Sequence, residues 1–359
     1  KHIRSLQSYR PGRPIEDVRR ELGLEHIIKL ASNENPHGPS PMALDAVQSA
    51  LADNFRYPDA SAFILREKLA GCFNLKIDNV VVGGGSEGVM STIMRTFLRQ
   101  GDEIIAADNS FIGFRVLANS SGIHTNWVPL KNYHHDLSAM AEKINDYTKI
   151  IYLANPDNPT GTYFPKSEFD AFMAQVPERV LVLLDEAYFE YACHLSDYPD
   201  SMHYRYDNVI TLRTFSKAHG LAGFRVGYGF AHEDLIENLN KVKLPFEPSW
   251  PAQVAATAAL DDSAHIENTI TSCREGMENM EMVFKELRLD YIPSAANFLT
   301  LVFDNEEEAA SFCDTMLHKG IILRHLAGWG LPDCVRVTIG KESENEYLVS
   351  CLSKILSEV

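Results

Sequence analysis

Hydrophobic and polar residues follow two alternating patterns between residue 41 and about residue 245. Stretches with the 3.6-residue period of an amphipathic helix are separated by short apolar runs rich in β-branched residues. The apolar runs lie at 79–82, 103–107, 149–153, 180–184, 209–212 and 226–230. This alternation is typical of a mostly parallel sheet with helices on both faces, so we predict a large α/β domain over residues 41–245.

The pattern changes after a cluster of three prolines between residues 245 and 251. One long helical stretch, at about 263–288, follows the prolines. Shorter strand-like runs then lie near 298–303, 321–324 and 335–338. We therefore predict a smaller α+β domain over residues 246–359.

The first 40 residues are rich in turn-forming residues, as in Tyr9-Arg10-Pro11-Gly12 and Asn33-Glu34-Asn35-Pro36-His37-Gly38-Pro39. This composition favours an extended arm with little helix of its own. We expect the arm, residues 1–40, to pack against the small domain.

Charge and composition exclude several classes of function. The 359 residues include 33 basic and 49 acidic ones, and the net charge of −16 argues against binding to nucleic acid or to an anionic membrane surface. No apolar run approaches the roughly 18–20 residues that a membrane span needs, and the polar start lacks the apolar segment of a signal peptide. The six cysteines are scattered without C-x-x-C pairs, which favours reduced thiols. We expect a cytoplasmic protein without a metal site.

A glycine turn, Gly83-Gly84-Gly85-Ser86-Glu87, follows the first apolar run and opens a helical segment. Glycines let the backbone approach a ligand closely, and the free N–H groups at a helix start favour a phosphate. The turn matches a dinucleotide fingerprint only through Gly83, Gly85 and Gly88. Taken alone, it predicts either a phosphate site or a tight strand-to-helix turn.

Two further apolar runs end at polar residues. The run at 149–153 leads into Asn155-Pro156-Asp157-Asn158-Pro159-Thr160-Gly161, and the run at 180–184 is followed directly by Asp185. The first motif alone would be a multiple turn, and a carboxylate at a buried strand end needs a cationic or donor partner. Their position at the carboxyl ends of parallel strands is where open α/β sheets bind ligands.

Another polar motif, Thr214-Phe215-Ser216-Lys217, comes after the run at 209–212, and Arg225 follows eight residues past the lysine. A lysine with a lowered pKa can act as a Schiff-base nucleophile, although a surface lysine is the commoner case. The four strand ends together present a glycine turn, an asparagine, an aspartate and a lysine with an arginine. A pyridine ring that bears an aldehyde and a phosphate needs this set.

With these motifs the chain resembles the fold-type I aminotransferases that use pyridoxal 5′-phosphate, and within that family the members that act on histidinol phosphate. The resemblance spans nearly the whole chain and implies a mostly parallel, seven-stranded type of sheet. Its motifs are Tyr9-Arg10-Pro11-Gly12, Ala31-Ser32-Asn33-Glu34-Asn35-Pro36, Asp185-Glu186-Ala187-Tyr188, Phe215-Ser216-Lys217, Arg225-Val226-Gly227-Tyr228 and Arg336-Val337-Thr338.

The resemblance implies roles for the residues around the cofactor. Lys217 would form the Schiff base and carry the proton, and Asp185 would pair with the pyridinium nitrogen. Asn158 and Tyr188 would donate hydrogen bonds to the phenolate oxygen, and Phe111 would stack on the ring. The residues implied for the rest of the cofactor, chiefly its phosphate, are Gly85, Ser86, Glu87, Thr214, Ser216 and Arg225.

The resemblance also implies a partner and a substrate. Tyr57 matches a tyrosine that reaches the phosphate of the neighbouring subunit's cofactor, which implies a homodimer with shared active sites. The implied substrate residues are Tyr9, Asn33, Arg324 and Arg336. Two guanidinium groups suit a phosphate dianion better than a single carboxylate. The implied reaction converts L-histidinol phosphate and 2-oxoglutarate into imidazole acetol phosphate and glutamate, reversibly, in histidine biosynthesis.

Other functions are compatible with parts of this pattern. An aromatic amino-acid aminotransferase and a threonine-phosphate decarboxylase share the scaffold and most cofactor motifs. A nucleotide-binding oxidoreductase would explain the glycine turn but leaves Asn158, Asp185 and Lys217 without a role. The intact Lys217 argues against a catalytically silent binding protein. Three departures from the family pattern leave the substrate range open, namely Asp157, His219 and His325.

Overall fold

The computed structural model describes residues 2–6, 12–204 and 206–357. Within the arm, helix α1 (Ile15–Leu22) precedes the short strand β1 (Ile28–Lys29). The arm therefore contains more helix than its turn-rich composition predicted. Glu16 and Asp17 in the first turn suit the helix dipole, and Gly23 ends the helix with a φ of 65°.

The large region begins at residue 41 and alternates helices with strands. Its elements, in chain order, are α2 (Pro41–Ala50), α3 (Phe63–Cys72), β2 (Val80–Gly83), α4 (Gly85–Phe97), β3 (Glu103–Ala107), α5 (Ile112–Ser121), β4 (His124–Val128), α6 (Leu137–Glu142), β5 (Thr148–Ala154), α7 (Lys166–Met173), β6 (Leu181–Asp185), α8 (Phe189–Ala192), α9 (Ser201–Tyr204), β7 (Val209–Thr214), β8 (Gly227–Phe230), α10 (Glu233–Val242) and α11 (Trp250–Ala259).

The large sheet has seven strands in the order β2-β8-β7-β6-β5-β3-β4. All neighbours are parallel except β8, which runs antiparallel to both β2 and β7. This topology confirms the predicted α/β fold with a mostly parallel sheet. The sequence pattern missed β4, because this edge strand reads His-Thr-Asn-Trp-Val and buries only Val128 fully. A half-exposed edge strand lacks the continuous apolar run of a central strand.

Helices cover both faces of the large sheet. Tyr152 and Ala154 of β5 point toward a core shared with α4, α5 and α10, whereas Ile151 and Leu153 point toward α6 and α7. The period of two along the strand thus sends alternate residues into different cores. Because both faces are buried, the central strands are apolar throughout and can place polar groups at their ends.

The small region holds the remaining elements. In chain order they are α12 (Ser263–Glu286), β9 (Asp290–Ile292), β10 (Phe298–Val302), α13 (Glu306–His318), β11 (Ile321–Ile322), β12 (Arg324–His325), β13 (Cys334–Thr338) and α14 (Glu342–Ser357). Four strands form an antiparallel sheet in the order β12-β13-β10-β9, and β11 pairs in parallel with β1 of the arm. No helix within the described ranges is both long enough and apolar enough to cross a membrane.

Helix α11 follows the proline cluster but packs on the large region. Its residues Ala252, Ala255 and Ala256 share a core with Val80 and Phe215. Pro251 lies in the first turn of α11, where proline is tolerated. The division of the chain between residues 245 and 246 stays a prediction.

Candidate active site

The carboxyl ends of β2, β5, β6 and β7 meet at one edge of the large sheet, where a cavity of about 270 Å³ lies. Predicted site residues from every one of these strand ends line the cavity. They are Ser86, Glu87, Phe111, Asn158, Asp185, Tyr188, Thr214, Ser216, Lys217 and Arg225. The fold thus brings together segments that are far apart in the chain, as the argument from strand ends expected.

Lys217 lies in the turn after β7, and its side chain is partly buried. Its Nζ donates a hydrogen bond to the carbonyl oxygen of Ser32, at 3.3 Å, and lies 5.6 Å from the centre of the Tyr188 ring. Burial, and to a lesser extent the charge of Arg336, lowers the pKa of Lys217 to about 8. A substantial fraction of this amine is therefore neutral near pH 7–8, which is the form that attacks a carbonyl carbon.

Asp185 ends β6 with a buried carboxylate. Its Oδ2 accepts a hydrogen bond from the Tyr152 hydroxyl at 2.8 Å, but its Oδ1 has no partner within the described part of the chain. Burial raises the pKa of Asp185 to about 7. A buried carboxylate oxygen without a donor is costly, so the site suits a ligand that presents an N–H group or a cation there. Sequence reasoning missed Tyr152, although its position two residues before the end of a neighbouring strand could have indicated it.

The start of α4 can hold an anion. Gly85 has a φ of 81°, which side chains rarely adopt, and a Cβ at this position would approach Arg225 Nη2 to 2.8 Å. The first N–H groups of a helix have no acceptor within it, and the hydroxyls of Thr214 and Ser216 lie 3.0 Å apart nearby. Arg225 Nη2 lies 3.2 Å from Glu87 Oε2. Because its carboxylate would repel an anion, Glu87 can contribute only through its backbone N–H.

Arg336 on β13 of the small sheet contacts Asn158, which lines the cavity. Its guanidinium donates to Asn158 Oδ1 and, at 2.7 Å, to the carbonyl oxygen of Ala31. Asn33 Nδ2 donates to the Tyr188 hydroxyl at 2.8 Å, and burial raises the pKa of Tyr188 to about 12. Tyr188 therefore keeps its proton at neutral pH and can donate it to an anionic oxygen in the cavity.

Arg324 and Arg336 occupy opposite positions on β12 and β13, so their side chains leave the small sheet on the same face. The guanidinium carbons of Arg324 and Arg336 lie 4.7 Å and 5.8 Å from the centre of the Trp329 ring. Sequence reasoning did not identify Trp329 as their shared neighbour. This arrangement places two positive charges around Trp329 in a strongly acidic chain, and Arg336 also contacts the cavity-lining Asn158.

Tyr57 does not line the cavity; its side chain is 81% exposed and stacks on Phe246, with ring centres 4.4 Å apart. Phe55 beside it is also exposed. Tyr9 lies outside the described residues. This chain by itself therefore leaves a group of aromatic side chains in contact with solvent.

Comparison with known proteins agrees with this geometry. The family model described as aminotransferase class I and II matches residues 25–352. The chain is 42% identical to histidinol-phosphate aminotransferase 1 of Nitrosococcus oceani, over 99% of this chain and 96% of that protein. It is also 42% identical to the histidinol-phosphate aminotransferase of Moorella thermoacetica, over 99% of this chain and 92% of that protein.

Solved structures give the same result for the fold. The crystal structure of histidinol-phosphate aminotransferase from Sinorhizobium meliloti in complex with pyridoxal 5′-phosphate matches with a TM-score of 0.91 and 28% identity, covering 99% of this chain and 97% of that one. An aspartate aminotransferase mutant from Thermus thermophilus shares the fold at a TM-score of 0.85 with 19% identity, covering 100% of this chain and 99% of that one. The match of the family model to residues 25–352 and the 42% identity to a relative over 99% of the chain show that this chain belongs to the class I and II aminotransferase family.

Proposed function

We propose that the chain is a pyridoxal 5′-phosphate-dependent aminotransferase acting on L-histidinol phosphate. It transfers the amino group to 2-oxoglutarate and yields imidazole acetol phosphate and glutamate, reversibly, as a step of histidine biosynthesis. The names of full-length relatives support this substrate. The observation that carries the proposal is that Lys217 and Asp185 line one cavity, and that Asp185 Oδ1 has no partner among the residues that the structure describes.

The residues of the cavity fit the cofactor. Pyridoxal 5′-phosphate supplies an electron-withdrawing ring that stabilises negative charge at the carbon losing a proton. Asp185 Oδ1 would accept a hydrogen bond from the ring nitrogen. Asn158, whose Oδ1 already accepts from Arg336, would donate through Nδ2 to the ring oxygen together with the Tyr188 hydroxyl. Phe111 would pack against the ring face.

The phosphate would bind at the start of α4. The backbone N–H groups of Gly85, Ser86 and Glu87 would donate to its oxygens, and the hydroxyls of Thr214 and Ser216 would add further hydrogen bonds. Arg225 would contribute a charge-assisted contact, for which the phosphate would compete with Glu87.

Lys217 would hold the cofactor covalently and move the proton. Its neutral Nζ would accept the proton from the amino-bearing carbon of the substrate and would later return one. A pKa of about 8 suits both directions of this transfer. The Ser32 carbonyl, 3.3 Å from Nζ, helps to orient the amine.

The substrate would bind on the side of the arm and the small sheet. Arg324 and Arg336, with Tyr9, would bind the phosphate group of histidinol phosphate. The two arginines are register partners on β12 and β13, and two guanidinium groups match a dianion. Asn33 would help to position Tyr188 beside the substrate.

The functional unit would be a homodimer with shared active sites. Tyr57 would reach the cofactor phosphate bound by the partner subunit, and its exposure in a single chain supports this assignment. Neighbouring exposed apolar residues, such as Phe55 and Phe246, would be covered by the same contact. We place the enzyme in the cytoplasm, the compartment that its scattered cysteines suit.

An amine screen tests the proposed function. The purified protein would be given 2-oxoglutarate with histidinol phosphate, phenylalanine, tyrosine or threonine phosphate, while glutamate and carbon dioxide are measured. We expect glutamate to form fastest with histidinol phosphate. Preferred use of phenylalanine or tyrosine would favour the aromatic aminotransferase, and carbon dioxide from threonine phosphate would favour the decarboxylase.

A further inference from the structure

Tyr152 places a phenol group in the middle of β5, inside the apolar core of the large sheet. Its side chain is only 1% exposed, and its hydroxyl donates to Asp185 Oδ2 at 2.8 Å. Asp185 pairs in register with Ala154, which lies two residues after Tyr152 on the same strand. Tyr152 and Asp185 therefore face the same side of the sheet, and on that side the phenol hydroxyl contacts the carboxylate.

A second aromatic ring holds the phenol in place. Phe114 of α5 stacks on Tyr152 with ring centres 3.9 Å apart and an angle of 6° between the ring planes. Phe114 lies in the first turn of α5, and Phe111, the residue that precedes this helix, packs against the same core. The stack restricts the phenol to one plane, and the hydroxyl in that plane meets Asp185.

The type of donor matters for the carboxylate. A cationic partner would neutralise Asp185 and weaken its attraction for a second cation, whereas a neutral phenol orients the carboxylate and leaves its charge available. Burial raises the pKa of Asp185, and the hydrogen bond from Tyr152 opposes that rise because it stabilises the ionised form. The remaining oxygen, Oδ1, has no partner in the described ranges and belongs to a cavity-lining residue.

We propose that Tyr152 is a positioning residue: it fixes the Asp185 carboxylate through Oδ2 so that Oδ1 can pair with the ring nitrogen of the cofactor. This inference rests on the proposed function, in which Asp185 meets that nitrogen. Phenylalanine at position 152 would fill nearly the same space but remove the phenol donor to Oδ2, leaving the backbone of Ala187 to stabilise the ionised carboxylate. The carboxylate would then be held less firmly and would lose part of the stabilisation of its charge.

Cofactor binding by the apo-protein separates this role from a purely structural one. The probes are pyridoxamine 5′-phosphate, which binds without covalent attachment, and its 1-deaza analogue, in which a C–H group replaces the ring nitrogen. We expect Tyr152→Phe to weaken binding of pyridoxamine 5′-phosphate by about tenfold, within the range for losing a hydrogen bond to a charged group. Binding of the deaza analogue should change by less than about twofold, since it has no ring nitrogen to pair. Tyr228→Phe, which removes another buried hydroxyl from the same sheet, is the matched control and should affect neither probe.

Each outcome has a defined meaning. If Tyr152→Phe weakens both probes equally, or neither, Tyr152 does not position Asp185 and the inference is wrong. Asp185→Ala separates a failure of this inference from a failure of the proposed function. If the unmodified protein binds both probes equally well and Asp185→Ala does not change their binding, Asp185 does not pair with the ring nitrogen and the proposed function loses this assignment. Phe114→Leu removes the stacking ring instead of the hydroxyl and should cause the same selective loss to a smaller degree. It provides a second test should Tyr152→Phe fail to fold.

Discussion

The lowered pKa of Lys217 predicts how fast the apo-protein takes up pyridoxal 5′-phosphate at each pH. An ordinary lysine amine, with a pKa of 10.5, is neutral in only about one molecule in 3,000 at pH 7, whereas a pKa of about 8 makes about one molecule in ten neutral. Since only the neutral amine attacks the aldehyde, the structure predicts uptake roughly 300-fold faster at pH 7 than for a solvated lysine of equal intrinsic reactivity.

Stopped-flow absorbance of the cofactor, recorded between pH 6 and pH 10.5, measures this dependence. The rate constant should rise with pH and level off above about pH 8. Lys217→Ala should abolish the absorbance change. Lys243 is a matched control, because burial also lowers its pKa to about 8 although it does not line the cavity, and Lys243→Met should leave the profile unchanged. A rate that continues to rise up to pH 10 would show that the Lys217 amine is solvated and would refute the reasoning.

Three further predictions concern the substrate, the phosphate and the dimer. Arg324→Ala should raise the KM for histidinol phosphate by about tenfold or more, as expected for losing a charge-assisted contact, and should change the KM for phenylalanine little. Equal effects on both KM values would favour the aromatic aminotransferase. Gly85→Ala should weaken cofactor binding, measured by equilibrium titration, because the added Cβ would clash with the Arg225 guanidinium. Gly23→Ala is the control: its φ is similar but the space around it is open, so it should lower only the melting temperature. Mixing inactive Tyr57→Ala and Lys217→Ala subunits should restore about a quarter of the activity if active sites are shared, and no recovery would contradict the shared site.

The cavity was largely predictable because its polar residues come at the ends of apolar runs. Asp185 and Lys217 each follow a buried strand, and the strands are parallel, so their carboxyl ends meet at one edge. Local sequence was sufficient for this inference. The identity of the cofactor came from the resemblance, since strand ends alone do not define a ligand.

Features that depend on contacts between distant segments were not predictable. The sequence does not indicate that Tyr152 would donate to Asp185, because this contact depends on the register between two strands. Trp329 meets two arginines only after β12 and β13 have paired. Strand β4 and helix α1 were missed for a different reason: one is a polar edge strand, and the other is a short helix inside a turn-rich segment.

The parallel pairing of β1 with β11 links the arm to the small region immediately before the arm reaches the lysine. Ile28 pairs with Ile321, and Ser32, only a few residues further on, accepts the hydrogen bond from Lys217 Nζ. A rotation of the small region relative to the large sheet would move the segment between β1 and Ser32. This movement would alter the distance between the Lys217 amine and the Ser32 carbonyl oxygen. If binding of a substrate phosphate rotates the small region, the main chain of the arm would therefore change the position of the Ser32 carbonyl relative to Lys217 Nζ.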